Sequence, residues 1–213
     1  MTPIVLAPNL AALVSLAGGY LLGSIPFGLI AARLGGAGDI RKLGSGSIGA
    51  TNVLRTGRRD LAAITLLGDA GKGAAAALLA YAILGPTDAV LAGGAAFLGH
   101  LFPVWLKFRG GKGVATFFGV MLAIAWPAGL LAGVAWMIMA ALFRISSLAS
   151  LTAAALAPAL VFGVEPPDAG RSLRIGLAVV MAGLIFLRHH QNIGRLMKGA
   201  EPRLGSHKTA GPT

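Results

Sequence analysis

Val114-Ala-Thr-Phe-Phe-Gly-Val-Met-Leu-Ala-Ile-Ala-Trp-Pro-Ala-Gly-Leu-Leu-Ala-Gly-Val-Ala-Trp-Met-Ile-Met-Ala-Ala-Leu-Phe143 is an apolar run of 30 residues. Its reading decides how often the chain crosses a membrane. A spanning helix needs about 20 apolar residues, because 1.5 Å of rise per residue must cover roughly 30 Å of hydrocarbon. The run is long for one span and short for two. Trp126-Pro127 lies near its middle, and proline lacks the N–H that a helix interior requires. A tight turn and a kinked single helix are both open.

On either side lie further apolar runs. Ile4 to Leu34, Leu61 to Leu84 and Ala89 to Leu106 precede it; Leu148 to Val164 and Leu173 to Leu187 follow. Short polar pieces separate them, such as Gly85-Pro-Thr-Asp88 and Glu165-Pro-Pro-Asp168. The chain is 56% apolar and 12% charged, with mean hydropathy +0.79. A soluble domain has roughly 45–50% apolar and about 25% charged residues. This excludes an ordinary soluble enzyme and a disordered chain. The absence of cysteine excludes a disulfide scaffold, a thiol nucleophile and a zinc–thiolate site. An all-α fold remains, a polytopic membrane helix bundle.

Charge orients that bundle. The net charge is +11, from 18 basic and 7 acidic residues. If the chain turns at Pro127 it has seven spans, and one side then collects most of the cations. The first loop brings Arg33, Arg41, Lys42, Arg55, Arg58 and Arg59, and the second Lys107, Arg109 and Lys112. Arg144 follows, then Arg188, Arg195, Lys198, Arg203 and Lys208 in the tail. Only Arg171 and Arg174 fall on the other side, and Lys72 lies within a span. The positive-inside rule therefore places the N-terminus outside and the C-terminus in the cytoplasm. Six spans would carry the tail cations outside.

The first run lacks the basic start and short apolar core of a cleaved signal peptide, so it is expected to be retained. Gly19-Tyr-Leu-Leu-Gly23 and Gly129-Leu-Leu-Ala-Gly133 have the small-xxx-small spacing that lets helices approach closely. Residues 1–205 read as one integral membrane domain and 206–213 as a disordered tail.

Three polar segments share the cation-rich side. Gly38 to Arg55 mixes glycine, hydroxyl, amide and guanidinium groups. It reads either as a solvated loop or as an anion site, with backbone N–H groups and the Arg55 fork as donors. Gly44-Ser-Gly-Ser-Ile-Gly49 matches G-x-G-x-x-G, but that motif must follow a strand, and an apolar helix precedes it here. Phe108 to Thr116 contains Gly110-Gly111-Lys112. Leu106 and Gly113 break the nucleotide-triphosphate loop pattern. A Gly-Gly-Lys turn at a helix N-terminus is still a candidate anion site, as well as an ordinary basic loop. Arg188 to Arg203 places His189 and Asn192 on one helical face. Neighbouring histidines point apart and no carboxylate cluster accompanies them, so no metal site is expected. Within the spans, Asp69 and Lys72 are spaced to pair with each other, and His100 is expected to bond to a neighbouring helix. No nucleophile elbow accompanies the available serines.

Taken together, these segments resemble the bacterial membrane acyl-phosphate:glycerol-3-phosphate acyltransferases, over the whole chain. The pieces that carry the likeness are Gly23-Ser-Ile-Pro-Phe-Gly28, Gly44-Ser-Gly-Ser-Ile-Gly-Ala-Thr-Asn52 with Arg55, and Asp69-Ala-Gly-Lys-Gly73. Gly99-His-Leu-Phe-Pro-Val-Trp105, Gly110-Gly-Lys-Gly-Val-Ala-Thr116 and Arg188-His-His-Gln-Asn192 through Glu201 complete the order. Ser47 stands where the family usually has Asn, and Phe117 where Ser is common.

The resemblance implies acyl transfer from acyl phosphate to glycerol 3-phosphate, an early step of phospholipid biosynthesis. The products would be lysophosphatidic acid and phosphate. The setting would be the bacterial inner membrane among its lipids, with a cytoplasmic active site, no cofactor and no nucleic-acid partner. By the same resemblance Ser45, Arg55, Lys112 and His189 are the candidate catalytic residues. Ser45, Thr51, Asn52, Arg55, Gly110, Gly111, Lys112, Thr116, His189 and Asn192 are the candidate substrate-binding residues. Asp69, Lys72 and Glu201 are assigned to structure, with Glu201 expected to pair with a nearby arginine. A transporter for a phosphorylated solute and a scaffold binding anionic lipid are the rival classes. The chain shows no duplicated halves of the kind many transporters carry.

Overall fold

The computed structural model describes residues 7–205, which form helices, turns and loops without a strand. In chain order the helices are α1 (Pro8–Gly23), α2 (Phe27–Leu34), α3 (Ala50–Val53), α4 (Arg59–Leu84) and α5 (Pro86–Leu101). Then come α6 (Val114–Ile124), α7 (Trp126–Phe143), α8 (Ser146–Val164), α9 (Arg171–Arg188) and α10 (His190–Met197). Among the described residues, five stretches are long and apolar enough to cross a membrane: Pro8–Leu34, Arg59–Leu84, Pro86–Leu106, Trp126–Phe143 and Ser146–Val164. The pair α9 and α10, bent by 64°, makes a sixth when counted as one span. The expected tail, 206–213, lies outside the described residues.

The decisive run is neither one kinked helix nor two full spans. It breaks at Ala125 (φ −153°, ψ 65°). Pro127 falls in the first turn of α7, where its missing N–H has no helical partner to lose. Gly129 then lies against the backbone of Met121 and Leu122, so the chain doubles back. α6 has 11 residues, about 16 Å of helix at 1.5 Å per residue. That is too short to cross on its own. It starts inside the bundle, with Gly113 packed against Phe97 and Leu101.

Two other expected spans are also interrupted. The first run divides at Ser24-Ile25-Pro26 into α1 and α2. α5 stops at Leu101, because the residue before Pro103 is driven out of helical geometry, and Leu106 ends in a separate 3₁₀ turn. The exposed carbonyl at the first break is satisfied from another helix: Lys72 Nζ donates to Ile25 O at 2.7 Å. Lys72 also pairs with Asp69 Oδ1 at 2.7 Å, and His100 Nδ1 lies 3.4 Å from that same oxygen. All three side chains are buried. The expected Asp69–Lys72 pair is therefore present, and His100 meets it from α5.

Packing follows small residues, as it must where lipid offers no hydrophobic drive between helices. A Cβ on Gly19 or Gly23 would run into the backbone of Ala92 or Ala96, so α1 lies directly on α5. The second small pair behaves differently, since Gly133 faces open space. A main core gathers Phe97, Phe117, Met121, Met181 and Ile185; a smaller one holds Leu29, Ile40, Ile48 and Val53 beneath the first loop. Large apolar side chains such as Leu67, Leu142 and Leu187 are exposed on the outside of the bundle, where the surrounding medium is lipid.

Hydrogen bonds tie the loops at one end into a single layer. Thr51 Oγ1 meets Ser146 Oγ at 3.4 Å, joining the first loop to the start of α8. Ser147 Oγ donates to Glu201 Oε1 at 2.8 Å, and Arg144 Nη2 donates to Leu204 O at 3.1 Å. The second loop joins the same layer through Lys112 and the Gly110-Gly111 turn.

Candidate active site

Lys112 stands at the junction of the polar segments. Its Nζ donates to Asn192 Oδ1 at 2.6 Å. Asn192 Nδ2 donates onward to Glu201 Oε1 at 2.5 Å. Glu201 also accepts from Ser147 at Oε1 and from Arg195 Nε at Oε2, the latter at 2.6 Å. This is the arginine partner expected of Glu201. Asn192 sits in the short helix α10, which the 64° bend after α9 turns back over the second loop.

His189 occupies the bend (φ −99°, ψ 10°) and is buried. Its Nδ1 pairs with Ile185 O at 2.8 Å. A carbonyl only accepts, so Nδ1 carries the proton and Nε2 remains an acceptor. Burial, reinforced by the charge of Lys112, lowers the imidazole to about 4. At neutral pH the ring is uncharged.

Burial also lowers Lys112, to about 8. The Glu201 carboxylate opposes that shift, while Arg195, Arg55 and Arg188 add to it by repulsion. The ammonium is therefore charged at neutral pH and crowded by like charge, a setting that favours a bound anion. Burial works to raise Glu201, but donors from Asn192, Ser147 and Arg195 outweigh it and hold the carboxyl below its ordinary range.

Arg55 is exposed and lies across Gly44, whose φ of 52° and missing side chain leave room for the guanidinium. It makes no hydrogen bond or ion pair among the described residues. Its charge is near enough to Lys112 to repel the ammonium.

The family model described as glycerol-3-phosphate acyltransferase matches residues 13–199. The chain belongs to the glycerol-3-phosphate acyltransferase family. It is 64% identical over 199 residues to a glycerol-3-phosphate acyltransferase of Caulobacter vibrioides (strain NA1000 / CB15N), covering 92% of this chain and 89% of that relative. It is 53% identical over 208 residues to one from Dinoroseobacter shibae, covering 98% and 100%. It also resembles crystal structures of PlsY (YgiH), an integral membrane glycerol 3-phosphate acyltransferase. The glycerol 3-phosphate form gives a TM-score of 0.84 at 38% identity, over 91% of this chain and 96% of that one. The lysophosphatidic acid form gives 0.81 at 36% identity, over 91% and 95%. This chain is an integral membrane acyltransferase of phospholipid biosynthesis.

Not every expected residue of the acyltransferase opens onto the space beside Lys112. Asn52 is buried and staples its own loop: Nδ2 donates to Ile40 O at 2.7 Å and Ser47 O at 2.8 Å, and Oδ1 accepts the Ser45 N–H at 3.3 Å. Thr116 is fully buried against Gly73 of α4. Thr51 reaches α8 instead. The N–H groups of Gly110 and Gly111 are not free for an anion; they donate to Leu101 O and His100 O, each at 3.1 Å. The unpaired donors of this segment are those that open α6, two residues beyond Lys112. Ser45 is half-buried, and its hydroxyl makes no hydrogen bond among the described residues. Sequence reasoning missed Ser147, Arg188 and Arg195 as parts of the network. Arg188 and Arg195 lay within a segment already singled out, whereas nothing local marks Ser147.

Proposed function

We propose that this acyltransferase moves a fatty acyl group from acyl phosphate to glycerol 3-phosphate, giving 1-acyl-glycerol 3-phosphate (lysophosphatidic acid) and inorganic phosphate. The observation that carries the reading is a charged Lys112 hydrogen-bonded to Asn192, beside an Arg55 fork with no internal partner. Both proposed substrates bear phosphate, and this pair of cations suits them. The glycerol 3-phosphate and lysophosphatidic acid forms of the related PlsY structures support the acceptor and the product.

The glycerol hydroxyl oxygen attacks the acyl carbonyl carbon, and the bond from that carbon to the phosphate oxygen breaks. The phosphate leaves with the electron pair, and Arg55 and Lys112 stabilise the charge it gains. Ser45 and Asn192 position glycerol 3-phosphate by hydrogen bonds. His189 Nε2 accepts a hydrogen bond from the attacking hydroxyl and orients it. A base lowered to about 4 holds a proton poorly at neutral pH. A substrate phosphate oxygen, with a second pKa of about 6, takes the proton instead. An acyl phosphate is already an activated mixed anhydride, so no covalent enzyme intermediate is required.

Residues 1–205 act as one unit in the bacterial inner membrane. α6 enters the bundle and α7 returns from it, so the chain direction alternates as in a seven-span protein. The N-terminus is outside, and the cation-rich loop layer, with the active site, faces the cytoplasm. The test is incubation of purified protein with palmitoyl phosphate and glycerol 3-phosphate. Phosphate release that depends on both supports the reading. Release without glycerol 3-phosphate, or solute flux without release, rejects it.

A further inference from the structure

The Gly110-Gly111 turn, which presents Lys112, is gripped on two sides. On one side the carbonyls of His100 and Leu101, at the end of α5, accept its N–H groups. The His100 ring lies so close that a Cβ on Gly111 would collide with Nε2. That ring is itself backed by the buried Asp69 and Lys72 of α4. On the other side is Arg188, at the last position of α9. Its Nη2 donates to Gly110 O at 2.9 Å and its Nε to Gly111 O at 3.1 Å. The guanidinium also sits over the Phe102 ring, 5.6 Å from the centroid.

The turn needs such a grip. Lys107 and Phe108, just ahead of it, have φ of 52° and 62°. Left-handed backbone is costly for residues with a Cβ, and it persists only where surrounding contacts hold it. A planar fork that reaches two successive carbonyls fixes both position and orientation; a point charge reaches one.

We infer that Arg188 is a positioning residue: it clamps the Gly110 and Gly111 carbonyls against the α5 end and so sets where Lys112 meets the substrate phosphate. The assignment rests on the role proposed above for Lys112. A displacement of about 1 Å in a catalytic group lowers turnover on the order of 100-fold. Arg188→Ala and Arg188→Lys should therefore both lose kcat by roughly 10- to 100-fold. Lysine keeps the charge but not the fork.

Kinetics and hydrogen–deuterium exchange of the full chain in detergent test this together. In both variants the amides from Lys107 to Gly113 should exchange faster than in the unmodified protein, while α4 and α5 stay protected. Unchanged exchange across 107–113 in the variant that folds would overturn the clamp. Activity restored to within about twofold by lysine would overturn it too, since charge alone would then suffice. If the unmodified protein releases no phosphate, the reading of Lys112 fails, yet the exchange measurement still reports whether Arg188 holds the turn.

Discussion

Lys112 and Asn192, 80 residues apart in the chain, share a 2.6 Å hydrogen bond from Nζ to Oδ1. The bond ties the second loop to the helix beyond α9 and fixes the ammonium within the field of Arg55. Lys112→Ala should lower kcat by roughly 100- to 1,000-fold, the usual effect of removing one preorganised donor to developing charge. Asn192→Ala should lose activity too, because Lys112 then keeps its charge but not its aim. Phosphate release by the purified variants, with elution volume as a check on folding, decides the matter. Full activity in either removes it from the proposed machinery.

The pH dependence follows from the lowered lysine. A cation whose pKa falls to about 8 is charged below that pH and loses its charge as pH rises through it. kcat/KM, which reports the free enzyme, should decline above about pH 8. Arginine stays charged far beyond this range, so Lys112→Arg should abolish the alkaline decline while lowering the plateau. A decline unchanged in Lys112→Arg would assign it to another group.

His189 gives a contrasting expectation. With its pKa at about 4, it does not change charge between pH 5 and 7. Its contribution is an acceptor nitrogen, so His189→Gln, which keeps an acceptor, should retain more activity than His189→Leu. Any acid-side decline between pH 5 and 7 should persist in His189→Gln. Its disappearance in that variant would make His189 the proton acceptor.

Glu201 should matter through folding. Its carboxylate gathers Asn192, Ser147 and Arg195. A hydrogen bond to a charged group contributes about 1.5–3 kcal/mol, and a chain of this size loses about 2–4 °C of Tm per kcal/mol. Glu201→Ala should thus lower Tm by several degrees, and Glu201→Gln by less. Because Glu201 supports the charge on Lys112, the alkaline decline should also move to lower pH in Glu201→Ala. An unchanged Tm would contradict the structural assignment.

Orientation is open to direct labelling, because the chain has no cysteine. Ala169→Cys and Lys198→Cys occupy exposed positions, one just before α9 and the other just after α10. An impermeant maleimide on spheroplasts should label Ala169→Cys at once and Lys198→Cys only after the membrane is opened. The reverse order would invert the proposed topology.

Most of the helical framework was legible in order, and so was the side on which the chemistry gathers. Hydropathy reports whether a stretch suits lipid, and arginine and lysine report which loops share a face. Neither depends on what a residue touches. The break at Ala125 was only half visible, since Pro127 allowed a turn or a kink and hydropathy is the same for both. Contact with Met121 and Leu122 decided it.

The local pattern of glycine, hydroxyl and cation pointed to Arg55 and Lys112, and the family resemblance added His189 and Asn192. Which of their neighbours remain free for a ligand was settled only by the tertiary structure. Gly110 and Gly111 look like open donors until α5 takes their N–H groups and Arg188 their carbonyls. Asn52 looks like a ligand until its loop closes on it, and Ser147 carries no signal until Glu201, 54 residues away, arrives beside it. The physical reason is that spacing along a helix determines which residues share a face. A hydrogen bond is satisfied instead by whatever donor or acceptor the packing of distant segments brings within about 3 Å.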